Sequence, residues 1–187
     1  MPAQTSLVRL SKFLSLVLRH HPERIGLQLD ENGWAEVAEL LQKAHQAGVS
    51  ITKQSLDEVV DRSDKKRFAF SEDGKRIRAS HGHSVPVDLQ LTPVQPPDVL
   101  YHGTARKFLD SIRRDGLSPG ARKYVHLAAD AETALSVGQR HGKPLVLTIE
   151  AGRMQREGHV FYHSSSGIWL TDRVPASYLV LPSLHRE

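Results

Sequence analysis

The sequence predicts an α+β protein of two lobes, and three observations carry that reading. Apolar residues of the first third recur at helical spacing. Two short alternating segments flank Asp73-Gly74. The second half breaks into six short apolar runs with two helical stretches among them. A chain of 187 residues accommodates two lobes of about 90 residues each. Its 39% hydrophobic content suffices for ordinary cores, and no run approaches the roughly 18 apolar residues of a membrane span. Met1 to Val8 lacks the charged start and apolar core of a signal peptide. With no cysteine there are neither disulfides nor thiolate metal sites, so the expected setting is the cytoplasm.

Leu7, Leu10, Leu14, Val17 and Leu18 mark a first helix that should stop near His21, because Pro22 restricts its predecessor and donates no hydrogen bond. Asn32-Gly33 marks a turn. A second helix is expected over Val37 to Ala47, with Gly48 as its stop, and a third from about Lys53 to Arg62. Arg67–Ser71 and Lys75–Ala79 alternate around Asp73-Gly74 and predict a hairpin. Three helices followed by a hairpin outline a winged helix, an architecture that binds nucleic acids.

Four prolines between Pro86 and Asp98 predict an extended connector, placing the lobes at 1–88 and 99–187 with 89–98 between them. Beyond it, Val99–Tyr101, Tyr124–Leu127, Leu145–Ile149, Val160–Tyr162, Ile168–Leu170 and Leu179–Leu181 read as strands. Helices are expected over Ala105 to Asp115, with Thr104 as N-cap and Gly116 past its end, and over Ala131 to Arg140 after Asp130. Many strands with two early helices suggest a mostly antiparallel sheet.

Charge is informative by its distribution. The formal net charge is only +4, but Lys65, Lys66, Arg67, Lys75, Arg76 and Arg78 fall within fourteen positions against Glu72 and Asp73. A compact cluster suits a particular phosphate better than general coating of a nucleic acid. Arg19 and His20 close the first helix, where cations bond free carbonyls or grip a phosphate. His81-Gly82-His83 lacks a third ligand for a metal and reads as a polar turn or as pocket lining. Tyr101-His102-Gly103-Thr104 runs from strand into the expected helix cap, a place for backbone N–H groups to meet a ligand. His126 follows on a second strand. A cyclic-phosphodiesterase pattern would need His-x-Ser/Thr twice; His102-x-Thr104 satisfies it, and His126-x-Ala128 does not.

Taken in order, Lys12–His20, Asp64–Phe68, Ile77-Arg-Ala79 with Gly82-His-Ser84, Tyr101–Thr104, Gly116-Leu117, Val125-His-Leu127 and Trp169-Leu-Thr171 with Val174-Pro175 resemble the NAD-dependent tRNA 2′-phosphotransferase family. The resemblance covers nearly the whole chain. It implies a winged-helix lobe followed by an ADP-ribosyltransferase-like lobe that binds NAD. It assigns catalysis to Arg19, His20, Arg67 and Arg122, and cofactor contacts to His102, Gly103, Thr104, Gly116, Leu117, His126 and Arg140. Tyr124, Ala128 and Ser166 depart from the family's usual His, Ser and Asn.

The reaction so implied removes an internal 2′-phosphate from RNA, as at a tRNA splice junction. The phosphate attacks the nicotinamide ribose, nicotinamide leaves, and the ribose 2″-hydroxyl then attacks phosphorus to release ADP-ribose 1″,2″-cyclic phosphate. Fixed arginines can position the dianion and stabilise the second step with no metal. The expected partners are 2′-phosphorylated RNA and NAD, the expected form a monomer, and the expected location of the centre is between the lobes. Two other readings compete: an ADP-ribosyltransferase that caps phosphorylated RNA or DNA ends, and a winged-helix DNA-binding regulator.

Overall fold

Leu10, Leu14, Val17 and Leu18 lie on one stripe and are all buried, which fixes α1 (Pro2–Arg19) in a computed structural model that describes residues 2–63 and 66–182. Asp64 and Lys65, two positions of the motifs above, lie outside the described residues. The helix ends two residues before His21. The N–H groups of His20 and His21 both close on the Leu16 carbonyl, at 3.1 and 2.8 Å, and Pro22 opens a 3₁₀ turn, Pro22–Ile25, that periodicity did not predict.

The chain divides into two compact units, residues 1–90 and 91–187. In the first, α2 (Val37–Gln46) and α3 (Lys53–Asp61) follow the expected spans. Thr52 caps α3 by a reciprocal box with Ser55: Thr52 Oγ1 accepts the Ser55 N–H at 3.1 Å, and Ser55 Oγ accepts the Thr52 N–H at 3.0 Å. The hairpin forms as β2 (Phe68–Phe70) and β3 (Arg76–Ala79), with Gly74 at φ +68° in its turn. A two-residue strand, β1 (Ala35–Glu36), joins them in the antiparallel order β1-β3-β2; it is too short to show a period. One face of this sheet, through Ala35, Phe68, Ile77 and Ala79, packs on Leu14, Leu18, Leu40 and Leu56.

The second unit is two antiparallel sheets. One has the order β4 (Leu100–Ala105), β6 (Pro144–Ile149), β9 (Leu179–Val180); the other has β5 (Val125–Leu127), β8 (Trp169–Thr171), β7 (Phe161–His163). Tyr101 and Ala128 exchange backbone hydrogen bonds of 2.9 and 2.8 Å and tie β4 to β5. The mixed helical and antiparallel content is the predicted α+β class. Asp130 caps α5 (Ala131–Gly138), accepting the Thr133 N–H at 2.7 Å. A further helix, α6 (Ala151–Arg156), was not predicted; at six residues it spans under two turns.

Thr104 is not a helix cap. It lies inside β4, 7% exposed and paired with Leu145, and a 3₁₀ turn, Arg106–Phe108, separates the strand from α4 (Leu109–Asp115). The proline-rich stretch carries no helix, and its one bridge is between Pro93 and Tyr162; its backbone groups are used locally. Asp88 N–H donates to Glu31 in the first unit, while Val94 N–H donates to Phe161 in the second. No helix among the described residues is long and apolar enough to cross a membrane.

Helix α5 lies close against β4 because two glycines face each other's backbones. A Cβ on Gly103 would come within 1.7 Å of the Ala134 carbonyl oxygen, and one on Gly138 within 2.7 Å of the Thr104 oxygen. Gly103→Ala must therefore push the helix off the strand. We expect a loss of about 2 kcal/mol or more, read as a fall of about 6 °C or more in thermal midpoint. An unchanged midpoint would contradict this packing.

Candidate functional site

The end of α1 and the start of β2 meet at one atom, the carbonyl oxygen of Arg67. It accepts the Ser80 N–H at 2.9 Å and the Arg19 Nη2–H at 3.3 Å, and the Arg19 guanidinium lies 5.7 Å from the centre of the Phe68 ring. The Arg19 carbonyl, orphaned at the helix terminus, is capped in turn by the N–H groups of Ser84 (2.9 Å) and Val85 (3.3 Å). Ser84 Oγ also lies 3.0 Å from His20 Nδ1 and orients that ring. Arg19, His20 and Arg67 are thus brought together, with residues 80–85 as the clasp. Arg67 is half-buried, and its guanidinium joins no ion pair among the described residues.

His83 is the residue that spacing alone left unresolved. It is 4% exposed, and neither ring nitrogen has a hydrogen-bond partner among the described residues; the buried Ser80 hydroxyl is in the same position. Burial, reinforced by the charges of Arg19, His20 and Arg78, lowers its pKa from the usual 6.5 to about 4. The ring is neutral at pH 7 and adds no further positive charge beside Arg19.

In the second unit His102 lies on β4 and His126 on β5, and their strands are neighbours. His102 Nδ1–H donates to the His126 carbonyl at 2.9 Å. Burial lowers the His102 pKa against the opposing effect of that bond, and the charges of His141 and Arg122 lower it further. The ring is therefore neutral, with Nε2 as its acceptor nitrogen. Arg122 lies on an exposed turn, its N–H donating to Pro119 at 3.2 Å, and its charge reaches His102. Arg140 is exposed in the 3₁₀ turn Gln139–His141.

Gly103, Gly116 and Leu117 have structural duties. Gly103 admits α5, as above. A Cβ on Gly116 would lie 2.2 Å from the Val174 oxygen. Leu117 is in the core, and its backbone N–H and carbonyl both bond Val174, at 2.8 and 2.9 Å. Of the three unusual positions, Tyr124 packs on Tyr162 with ring centres 5.3 Å apart, Ala128 pairs with Tyr101, and the Ser166 hydroxyl lies 2.8 Å from that of Ser164. No group of three histidine, aspartate or glutamate side chains suited to a metal occurs among the described residues.

Forked guanidinium groups beside an imidazole are the equipment of a phosphate-binding protein. The chain belongs to the RNA 2′-phosphotransferase, Tpt1 / KptA family, whose model matches residues 5–173, and it is a transferase. It is 60% identical over 171 residues to a probable RNA 2′-phosphotransferase of Agrobacterium fabrum (strain C58 / ATCC 33970), covering 91% of this chain and 92% of that protein. It is 58% identical over 171 residues to one of Hahella chejuensis (strain KCTC 2396), again 91% and 92%. With one of Rhodopirellula baltica (strain DSM 10527 / NCIMB 13988 / SH1) it shares 53% identity over 184 residues, 98% of this chain and all of that one.

The depressed His83 pKa has a consequence for stability. In the unfolded chain the ring protonates near 6.5 and in the folded chain near 4, so unfolding takes up a proton between those values. The group has no effect above pH 6.5 and destabilises increasingly as pH falls toward 4, by about 3 kcal/mol in full. At pH 5 this amounts to about 2 kcal/mol relative to pH 7.5. Urea unfolding at the two pH values should show that loss, and His83→Gln should remove most of it. The same acid sensitivity in both proteins would contradict the assignment.

Proposed function

We propose that the protein removes a 2′-phosphate from RNA, of the internal kind found at a tRNA splice junction, with NAD as co-substrate. The observation that carries this reading is the joining of Arg19, His20 and Arg67, 48 positions apart in sequence, through the Arg67 carbonyl and the Ser84 hydroxyl. We read the first unit, three helices and a hairpin sheet, as a winged helix, and the second, with its antiparallel sheets, as ADP-ribosyltransferase-like. Membership of a family described by this activity, and relatives named for it, support the substrate.

Arg19 and Arg67 clamp the 2′-phosphate. Each guanidinium offers a planar fork that matches two phosphate oxygens and stays charged at any working pH. His20, oriented by Ser84, contacts the same phosphate, and Arg122, whose charge reaches His102, contributes a cation on the NAD side. NAD, when bound, supplies the sugar carbon that takes the phosphate and the hydroxyl that completes its removal. The residues of the second unit fit such a molecule: the His102 ring is neutral and its Nε2 accepts, as a ribose hydroxyl requires. His102, Thr104, His126 and Arg140 hold NAD in this reading, with Gly103, Gly116 and Leu117 shaping the strands and turns that carry them. As phosphorus is attacked, charge grows on its oxygens; guanidinium groups already in place stabilise it without reorganising.

Arg67→Ala should lower turnover of a 2′-phosphorylated RNA in the presence of NAD by on the order of a thousandfold. Arg67→Lys should recover only a small part, since a point charge replaces the fork. Omitting NAD should stop turnover by the unaltered protein. Near-normal turnover by Arg67→Ala would overturn the clamp.

A further inference from the structure

The core-facing side of the β1-β3-β2 sheet has its partners in α1, α2 and α3; the opposite side carries an unusual set of residues. Strand register places Ala69 opposite Arg78 and Glu36 opposite Arg76, and one step further along each strand puts Trp34 opposite Arg78 and Arg67 opposite Ser80. Since Ala35, Phe68, Ile77 and Ala79 face the core, alternation turns Glu36, Ala69, Arg76 and Arg78 to the other side, where Trp34 also lies.

These residues form a stacked group. The Arg78 guanidinium lies 4.4 Å and that of Arg76 5.4 Å from the centre of the Trp34 ring. Trp34 is held by its backbone: its N–H donates to Asp30 Oδ1 and its carbonyl accepts the Asp30 N–H, both at 2.9 Å. The ring itself stays partly exposed. Arg76 meets Asp30 at 3.5 Å with both side chains open to solvent, a pairing worth little. Arg78 donates to the Asn32 carbonyl at 3.5 Å and meets no carboxylate at ion-pair distance among the described residues. Ala69, the smallest side chain of the row, leaves the strand beside Arg78 open.

An aromatic ring flanked by arginines is what a single nucleic-acid strand requires: a π-face for a base and cations for successive phosphates. Arg67 stands two residues along β2 from Ala69, roughly 7 Å of strand, so one extended strand can touch both.

We propose that Trp34, Arg76 and Arg78 form a subsite for the RNA strand flanking the 2′-phosphate, Trp34 stacking on a base and the arginines holding backbone phosphates. The proposal rests on the assignment of Arg67 to the 2′-phosphate made above. It adds a binding determinant that acts on the length of the RNA and leaves the chemistry alone.

The test compares a 2′-phosphorylated RNA of ten nucleotides with a 2′-phosphorylated dinucleotide, too short to cover the face. Trp34→Ala should raise KM for the longer RNA about tenfold or more, with less than a twofold effect on the dinucleotide, and Trp34→Phe should restore most of it. In the folded double variant Arg76→Gln/Arg78→Gln, the slope of log KM against log salt for the longer RNA should become shallower by about 1.4, two single-strand phosphate contacts. An unchanged KM for the longer RNA, or equal losses on both substrates, overturns the subsite. If the unaltered protein acts on neither RNA, the enzymatic reading fails instead. Binding of a labelled ten-nucleotide RNA without a 2′-phosphate then decides: weakened by Trp34→Ala, the subsite stands; unaltered, it falls.

Discussion

Two arginines and a histidine cannot be gathered at a helix end without something to hold like charges together, and here that is the carbonyl oxygen of Arg67. It accepts a hydrogen bond from the Arg19 guanidinium and another from the Ser80 N–H. One cation is thus bonded to the backbone of the next, which offsets part of their repulsion and fixes the guanidinium plane. The same segment returns to cap the Arg19 carbonyl through Ser84 and Val85, so the loop 80–85 is bound at both ends of the pair. His20 takes its orientation from that loop, and His83 is buried beneath it. The neutrality of His83 follows from this burial: a third charge there would have neither solvent nor a counter-ion.

The second unit meets a different constraint. Gly103 and Gly138 let α5 approach β4 to backbone contact. His102 is fixed through Nδ1 by the neighbouring strand, which determines its tautomer as well as its direction. In both units the same device recurs. A backbone carbonyl holds one nitrogen of a polar side chain, Arg19 in one and His102 in the other, and so fixes the direction of its remaining nitrogen atoms.

Much of this was legible in the sequence. The apolar stripe of α1, the turn at Asp73-Gly74 and the Asp130 cap were read from period and turn chemistry, and each formed within a few residues of the expected place. Arg19, His20 and Arg67 are legible through the order of motifs along the chain, which carries the family resemblance. What escaped did so for physical reasons. The strand β1 has two residues, and α6 has six, so neither completes enough periods to be seen. Thr104 has the chemistry of a cap but continues β4, because pairing with Leu145 overrides local preference. The burial of His83 depends on a fold-back of the chain that no local pattern announces. Trp34 reads as one aromatic after a turn; only strand register sets it beside Arg76 and Arg78, whose alternation around Ile77 was the one available hint.

The central claim is that the phosphate leaves RNA by transfer to a nicotinamide-nucleotide-derived sugar. It is tested most directly by following the phosphorus itself, with an RNA labelled at a single 2′-phosphate and incubated with the protein and NAD. The account predicts that the label appears in ADP-ribose 1″,2″-cyclic phosphate, with one nicotinamide released for each RNA dephosphorylated and none of the label as inorganic phosphate. Label released as inorganic phosphate, or dephosphorylation that proceeds without NAD, would contradict it.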